Sequence, residues 1–155
     1  MNEHHRRALD SRWADVLADT DATVEEYRER GWDALSVRPG DVNPIEGDAR
    51  LDVLIPGSAF EDVSERMAEV EIDAFRVYAA AEAGVTFRLV VGEDETSEFA
   101  CCVPTFLFDE DAGPMRMAAD THGSLTIRLR PLDDRDVVEL QLMEPEVFFE
   151  ARAPE

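Results

Sequence analysis

The sequence predicts an α+β fold in a single domain. It has a mostly antiparallel sheet of about six or seven strands, a long N-terminal helix and two shorter helices. Three observations predict it. Apolar residues recur at helical spacing over residues 11–30, later runs are short and rich in β-branched and aromatic residues, and glycine, proline and acidic clusters separate those runs. At 155 residues the chain is long enough to bury roughly 70% of the surface its unfolded form exposes. The expected organisation is a flexible N-terminal arm over residues 1–10, one domain over 11–150 and a C-terminal tail over 151–155.

The first helix is read from Trp13, Val16, Leu17, Val24 and Tyr27, which share one face, and Gly31 stands where a helix stops. WDALSV and RLDVLIP follow as short strands, with the turn-rich RPGDVNPIEGD between them. Ser58 opens the second helix, because Ser58 and Glu61 have capping-box spacing and Phe60, Val63 and Met67 recur on one side. EIDAFRVYAAA, VTFRLVVG and EFACCVPTFLF are strand-like, the first two linked by AEAG and the last two by EDETS as a hairpin loop. Pro114 at a first-turn position starts a short third helix, which Gly123 ends. LTIRLR and VVELQLM alternate apolar and polar residues, so they form a final hairpin with one wet face.

Charge is the strongest signal. Thirty-six acidic side chains stand against fifteen basic ones, for a net charge of −21, and every basic residue is arginine. Such an excess repels nucleic acid and anionic lipid, both of which need cationic protein surface. It also strains the compact state in dilute buffer, a repulsion that molar salt screens at a Debye length of about 3 Å. Arginine without lysine suits the same setting, since the guanidinium is weakly hydrated and holds paired contacts. The composition therefore predicts a halophilic protein of a cytoplasm rich in KCl. No window approaches the ~20 apolar residues that span a bilayer. Arg6 and Arg7 have no apolar segment behind them, so no export signal is expected. Two adjacent cysteines make no disulfide framework.

The most suggestive stretch for chemistry is EFACCVPTFLF. In a strand, Phe99, Cys101 and Val103 share one face while Ala100 and Cys102 share the other. The thiols then diverge, which favours core packing over a reactive thiol or a metal site. Pro104 removes a ladder donor and predicts an edge strand or a bulge. DEDAGPMRMAAD, residues 109–120, places Asp109 and Asp111 as a calcium loop would, but glycine falls one position early and Asp120 stands where a glutamate belongs. His122 at a helix end reads as a partner of the helix dipole, with a Cys101–His122 nucleophile and base pair as the alternative. His4 and His5 beside Arg6 and Arg7 belong to the arm. Gly57 and Ser58 at a helix start offer backbone donors to an anion, but the capping box already uses them. No cofactor or metal is predicted.

VEEYRERGWDAL with PGDV after it, LDVLIP, the VYAA and FRLVV strand pair, LRPL and the closing EPEVFF occur in this order between Trp13 and Phe149. Together they resemble a small haloarchaeal family of unknown function. The resemblance implies organism type and fold and carries no catalytic residue. The Cys101–Cys102 pair and His122 lie outside its pattern.

Trp13, Phe148 and Phe149 are large rings near the two ends, expected to fold back on the sheet or, if exposed, to anchor a partner. The leading expectation is thus a non-enzymatic cytoplasmic protein-interaction module, with an unknown protein partner or as a homo-oligomer. The alternative is a small-molecule-binding protein or small enzyme with a pocket between sheet and helices, gathering Cys101 or Cys102, His122 and an arginine such as Arg88 or Arg128.

Overall fold

The structure, a computed structural model, describes residues 3–133 and 136–152. Among them are eight strands and four α-helices: α1 (Glu3–Glu29), β1 (Asp33–Ser36), β2 (Asp41–Ile45), β3 (Arg50–Leu54), α2 (Gly57–Met67), β4 (Ala74–Glu82), β5 (Val85–Asp94), β6 (Phe99–Phe108), α3 (Asp109–His122), β7 (Leu125–Arg130), β8 (Val138–Leu142) and α4 (Glu146–Phe149). The expected single sheet is instead two four-stranded sheets, ordered β1-β6-β5-β4 and β2-β3-β7-β8. Each sheet has one parallel pair, β1 with β6 and β3 with β7, and two antiparallel pairs.

The pairing follows from where apolar side chains fall. Leu51, Val53, Ile127, Leu129, Leu140 and Leu142 alternate along β3, β7 and β8 and point inward, meeting Leu35, Val90, Phe99, Cys101 and Val103 of the first sheet in one core. Phe60 and Val63 of α2, Met115 and Ala119 of α3, and Phe148 of α4 enter the same core. On its other face the first sheet carries Ala34, Leu89, Val91, Ala100 and Cys102, which α1 covers with Val24 and Tyr27. The order of layers is therefore helix, sheet, sheet.

Several expectations change. α1 begins at Glu3 rather than near Ser11, so residues 3–10 continue the helix. The side chains of His4 and His5 lie outside the described residues, as do Met1 and Asn2. The end of α1 is as read: Gly31 takes φ +88°, its N–H reaches the Arg28 carbonyl at 2.9 Å, and the Trp32 N–H reaches the Tyr27 carbonyl at 3.0 Å. The Tyr27 and Trp32 rings then meet at 5.5 Å, the apolar contact that completes this type of stop.

RPGDVNPIEGD, expected as turn, contains β2. Its Pro44 is tolerated because β2 is an edge strand. α2 starts at Gly57 with Pro56 at its cap and no side-chain cap bond, so Ser58 and Glu61 do not form the expected box. α3 starts at Asp109, five residues before Pro114. The Asp109 N–H bonds the Gly84 carbonyl at 2.9 Å, and its carboxylate accepts from the Thr86 hydroxyl at 2.8 Å. Three acids in the first turn suit the positive end of the helix dipole. Residues 109–120 are thus helical throughout, and the calcium-loop geometry is absent. The C-terminal segment is tied down as well: the Ala79 N–H bonds the Arg152 carbonyl at 3.0 Å, placing Arg152 beside Tyr78 on the outer edge of β4. Residues 153–155 of the expected tail lie outside the described residues. No described helix is long and apolar enough to cross a membrane.

Candidate functional site

α1 packs chiefly on β1, β6 and β5 and meets β4 at Glu82, where Arg12 Nε lies 3.7 Å from the carboxylate, and this offset leaves a groove of about 850 Å³ between the helix and the sheet edge. The residues that shape it follow from two periodicities. Asp19, Ala22, Thr23 and Glu26 recur at offsets of three, four and seven, so they line one side of α1. On β4 the register sets Arg76, Tyr78 and Ala80 opposite Val91, Leu89 and Phe87, on the face that α1 shares. Phe87 and Leu89 are buried and form an apolar floor.

One end of the groove is polar. The Tyr27 hydroxyl donates a hydrogen bond to Glu93, and Arg76 Nε lies 3.4 Å from the same carboxylate oxygen. The Arg30 guanidinium stacks over the Tyr27 ring at 4.4 Å and sits 5.8 Å from Trp32. Burial, and then the Glu93 carboxylate, hold the Tyr27 phenol far above its ordinary ionisation range. Glu93 likewise raises Arg76. The phenol already donates its one O–H to Glu93 and offers a guest only an acceptor oxygen, the Arg76 guanidinium keeps the N–H groups that Glu93 does not take, and neither group exchanges protons near neutral pH.

The residues singled out from the sequence do not converge. Cys101 and Cys102 are both fully buried, and they point to opposite faces of β6 as the alternation requires. Burial pushes both thiols up, Cys102 to about 12. The strand they sit on is central over residues 99–102, where β1 pairs with it, and an edge from there on, so Pro104 falls where no donor is needed. Register with β5 is unbroken, hence no bulge.

His122 is exposed, with Nε2 3.1 Å from the Gly47 carbonyl oxygen. A Cys101–His122 pair therefore does not form, since one partner is at the surface and the other in the core. Arg128 lies on the outward face of the second sheet, opposite Glu139. Arg88 points into the core side of the first sheet. Its Nε donates to the Phe148 carbonyl at 3.0 Å and its guanidinium lies 4.7 Å from the Phe148 ring. Burial pushes it down to about 10, so it stays charged at neutral pH.

The terminal rings serve the interior. Phe148 is completely buried, Phe149 is half-buried and stacks edge-on against it at 5.1 Å, and Trp13 is half-buried against Phe106 and Phe87 at 5.6 and 6.5 Å.

Tyr27, Arg30, Arg76, Tyr78 and Glu93 were missed as site residues. Tyr27 is on the apolar stripe of α1 and reads as core. The signal for the others was the alternation in FRVYAA, which sets Arg76, Tyr78 and Ala80 on one side of a strand. That signal shows a shared face and cannot show that the face lies uncovered beside a helix.

Compared with known proteins, the chain matches the model of a family of unknown function (DUF7529) over residues 1–150. No curated protein and no solved structure matches it.

Proposed function

The chain belongs to this family of unknown function, and we propose that it is a salt-adapted cytoplasmic binding protein that takes a small organic molecule in the groove between α1 and β4. One observation carries the reading. A groove between helix and sheet, lined by the half-buried Tyr78 and Ala80 over the buried Phe87 and Leu89, has polar groups at one end, and its volume of about 850 Å³ is within the ~300–1,000 Å³ of ligand sites. The buried thiols and the neutral phenol favour binding over catalysis. The net charge of −21 with arginine as the only strong base, together with the resemblance to a haloarchaeal family, supports work in molar KCl and disfavours nucleic acid as a partner.

Ala80→Trp fills the groove from the strand side and gives the test. Wild type and variant are dialysed at high KCl against a metabolite extract, and retained compounds are identified by mass spectrometry. A compound held by the wild type and not by the equally stable variant supports the reading. Identical retention by both refutes it.

A protein-contact role is the second reading, favoured by a different feature. β8 ends the second sheet with its outer edge unpaired among the described residues, and Leu132 and Met143 near its hairpin and its end are 80% and 66% exposed. A homodimer joined there is the form it would take. Sedimentation at high KCl tests it, and a monomer at all concentrations would exclude it.

A further inference from the structure

We propose that the polar end of the groove binds a carboxylate, held by Arg30 and Arg76, while the guest's apolar body lies along Tyr78 and Ala80. The inference rests on the groove being a ligand site and states the chemical class that it takes.

The behaviour of Arg30 carries it. Elsewhere on α1 an arginine takes the acid one turn before it: Arg7 pairs with Glu3 at 3.2 Å and Arg28 with Glu25 at 2.9 Å. Glu26 stands four residues before Arg30 in the same favourable order, yet the two form no ion pair. Arg30 lies instead over the buried Tyr27 ring at 4.4 Å, 5.8 Å from Trp32, and lines the groove. Among the described residues it has no carboxylate partner, on a chain with thirty-six acids and fifteen arginines. Stacking also fixes the guanidinium plane before a guest arrives, so little further side-chain entropy is lost on binding.

Arg76 faces it from the strand side. Its Nε lies against Glu93, its side chain is 62% exposed, and the N–H groups that Glu93 does not take are open to a guest. The two arginines meet at Tyr27: one covers its ring, and the other flanks the carboxylate that binds its hydroxyl. Donors therefore outnumber acceptors at this end, and a flat group with two acceptor oxygens matches a guanidinium fork. An ammonium would meet two cations, and a neutral guest would gain the walls alone. In molar salt only groups in contact count, because the Debye length is about 3 Å. Asp19 stands about 16 Å along the helix from Arg30, and Glu26 and Glu29 are outside ion-pair distance of it. Chloride competes for the guanidinium groups but gains nothing from the half-buried Tyr78 and Ala80.

The test uses three probes with one body: 3-phenylpropanoate, 3-phenylpropanol and 3-phenylpropylammonium. Each is titrated into the full-length protein in about 1 M KCl, with amide shifts of Tyr78 and Ala80 as the readout. The carboxylate should bind about fivefold more tightly than the alcohol, the size of one partly exposed ion pair, and the ammonium most weakly. In the double variant Arg30→Gln/Arg76→Gln the carboxylate should fall to the alcohol's affinity, with the alcohol unchanged. Arg7→Gln/Arg38→Gln removes the same charge at exposed positions outside the groove and should keep the preference. Three results overturn the carboxylate inference and leave the groove as a ligand site: no preference for the carboxylate in the wild type, a preference that survives the groove variant, or an equal loss in the control variant. Failure of all three probes to shift Tyr78 and Ala80 overturns the groove itself.

Discussion

Truncating Phe148 to alanine probes whether the C-terminal helix is part of the core. The ring is completely buried, edge-on to Phe149 at 5.1 Å and 76°, and 4.7 Å from the Arg88 guanidinium. Removing a buried aromatic ring costs about 3–5 kcal/mol through lost burial and the cavity left behind. The contact with Phe149 accounts for roughly 1 kcal/mol of such a figure and a desolvated cation–π contact for up to about 2, so they are contained in it rather than added. The expected loss is about 4 kcal/mol, a large share of the ~5–15 kcal/mol that holds a typical domain. Phe149→Ala, at a half-buried position, should cost about half as much. Both are read from urea unfolding at one fixed KCl concentration, because guanidinium chloride would change the screening with each point. A loss below about 1 kcal/mol for Phe148→Ala would show that α4 is not seated in the core. Phe148 and Phe149 would then return as exposed anchors for a partner.

Four further outcomes are expected. The thermal midpoint should rise by at least about 5 °C between 0.1 M and molar KCl, as the Debye length falls from about 10 Å to about 3 Å; a flat profile would remove the case for salt adaptation. Neither Cys101 nor Cys102 should react with an aromatic disulfide reagent in the folded protein at mildly alkaline pH, and both should react in urea, since burial disfavours the thiolate. Asp94 accepts backbone N–H bonds from Glu71 at 2.9 Å and Ser97 at 3.2 Å, and these hold its carboxyl below the ordinary range. Its contribution is thus present above the unfolded value of about 3.9 and is lost as pH falls through the lower folded value. Asp94→Asn should therefore destabilise near neutrality and converge with the wild type in acid, as urea midpoints taken between about pH 6 and pH 3 would reveal. Gly92→Ala would set a Cβ 2.8 Å from Ile72 Cγ2 and 3.2 Å from a Phe75 ring carbon, and should cost about 1–3 kcal/mol; an unchanged urea midpoint would mean that those side chains move aside freely.

What could be read from the sequence was local. The Cys101–Cys102 strand, the stop at Gly31, the stop at Gly123 and the closing hairpin all depend on one residue's conformation or on alternation, and all are present. What could not be read depended on distant partners. Pro44, Pro39 and Gly40 marked a turn, yet Asp41–Ile45 pairs with β3, because an edge strand accepts proline and the pairing compensates for it. Pro114 marked a helix start, but the bonds from Asp109 to Gly84 and Thr86 pin the start one turn and more upstream. Alternation in β7 shows that one face is buried without saying against which sheet, so two sheets were read as one. The groove lies at the far end of this scale. It exists because α1 is displaced from β4, and no single residue encodes a displacement.

The two parallel pairs have a consequence for synthesis. β3 is complete at Leu54, yet its inner neighbour β7 begins only at Leu125, and β1 likewise waits for β6. At about 5–20 residues per second a ribosome needs roughly four to fourteen seconds to cover the first of these intervals. Throughout that time the emerging chain carries an apolar strand with an open side, a state prone to stick to its neighbours. Charge repulsion between chains cannot guard that side where molar salt cuts the Debye length to about 3 Å; β2, complete at Ile45, covers one side of β3 and leaves the other waiting for β7.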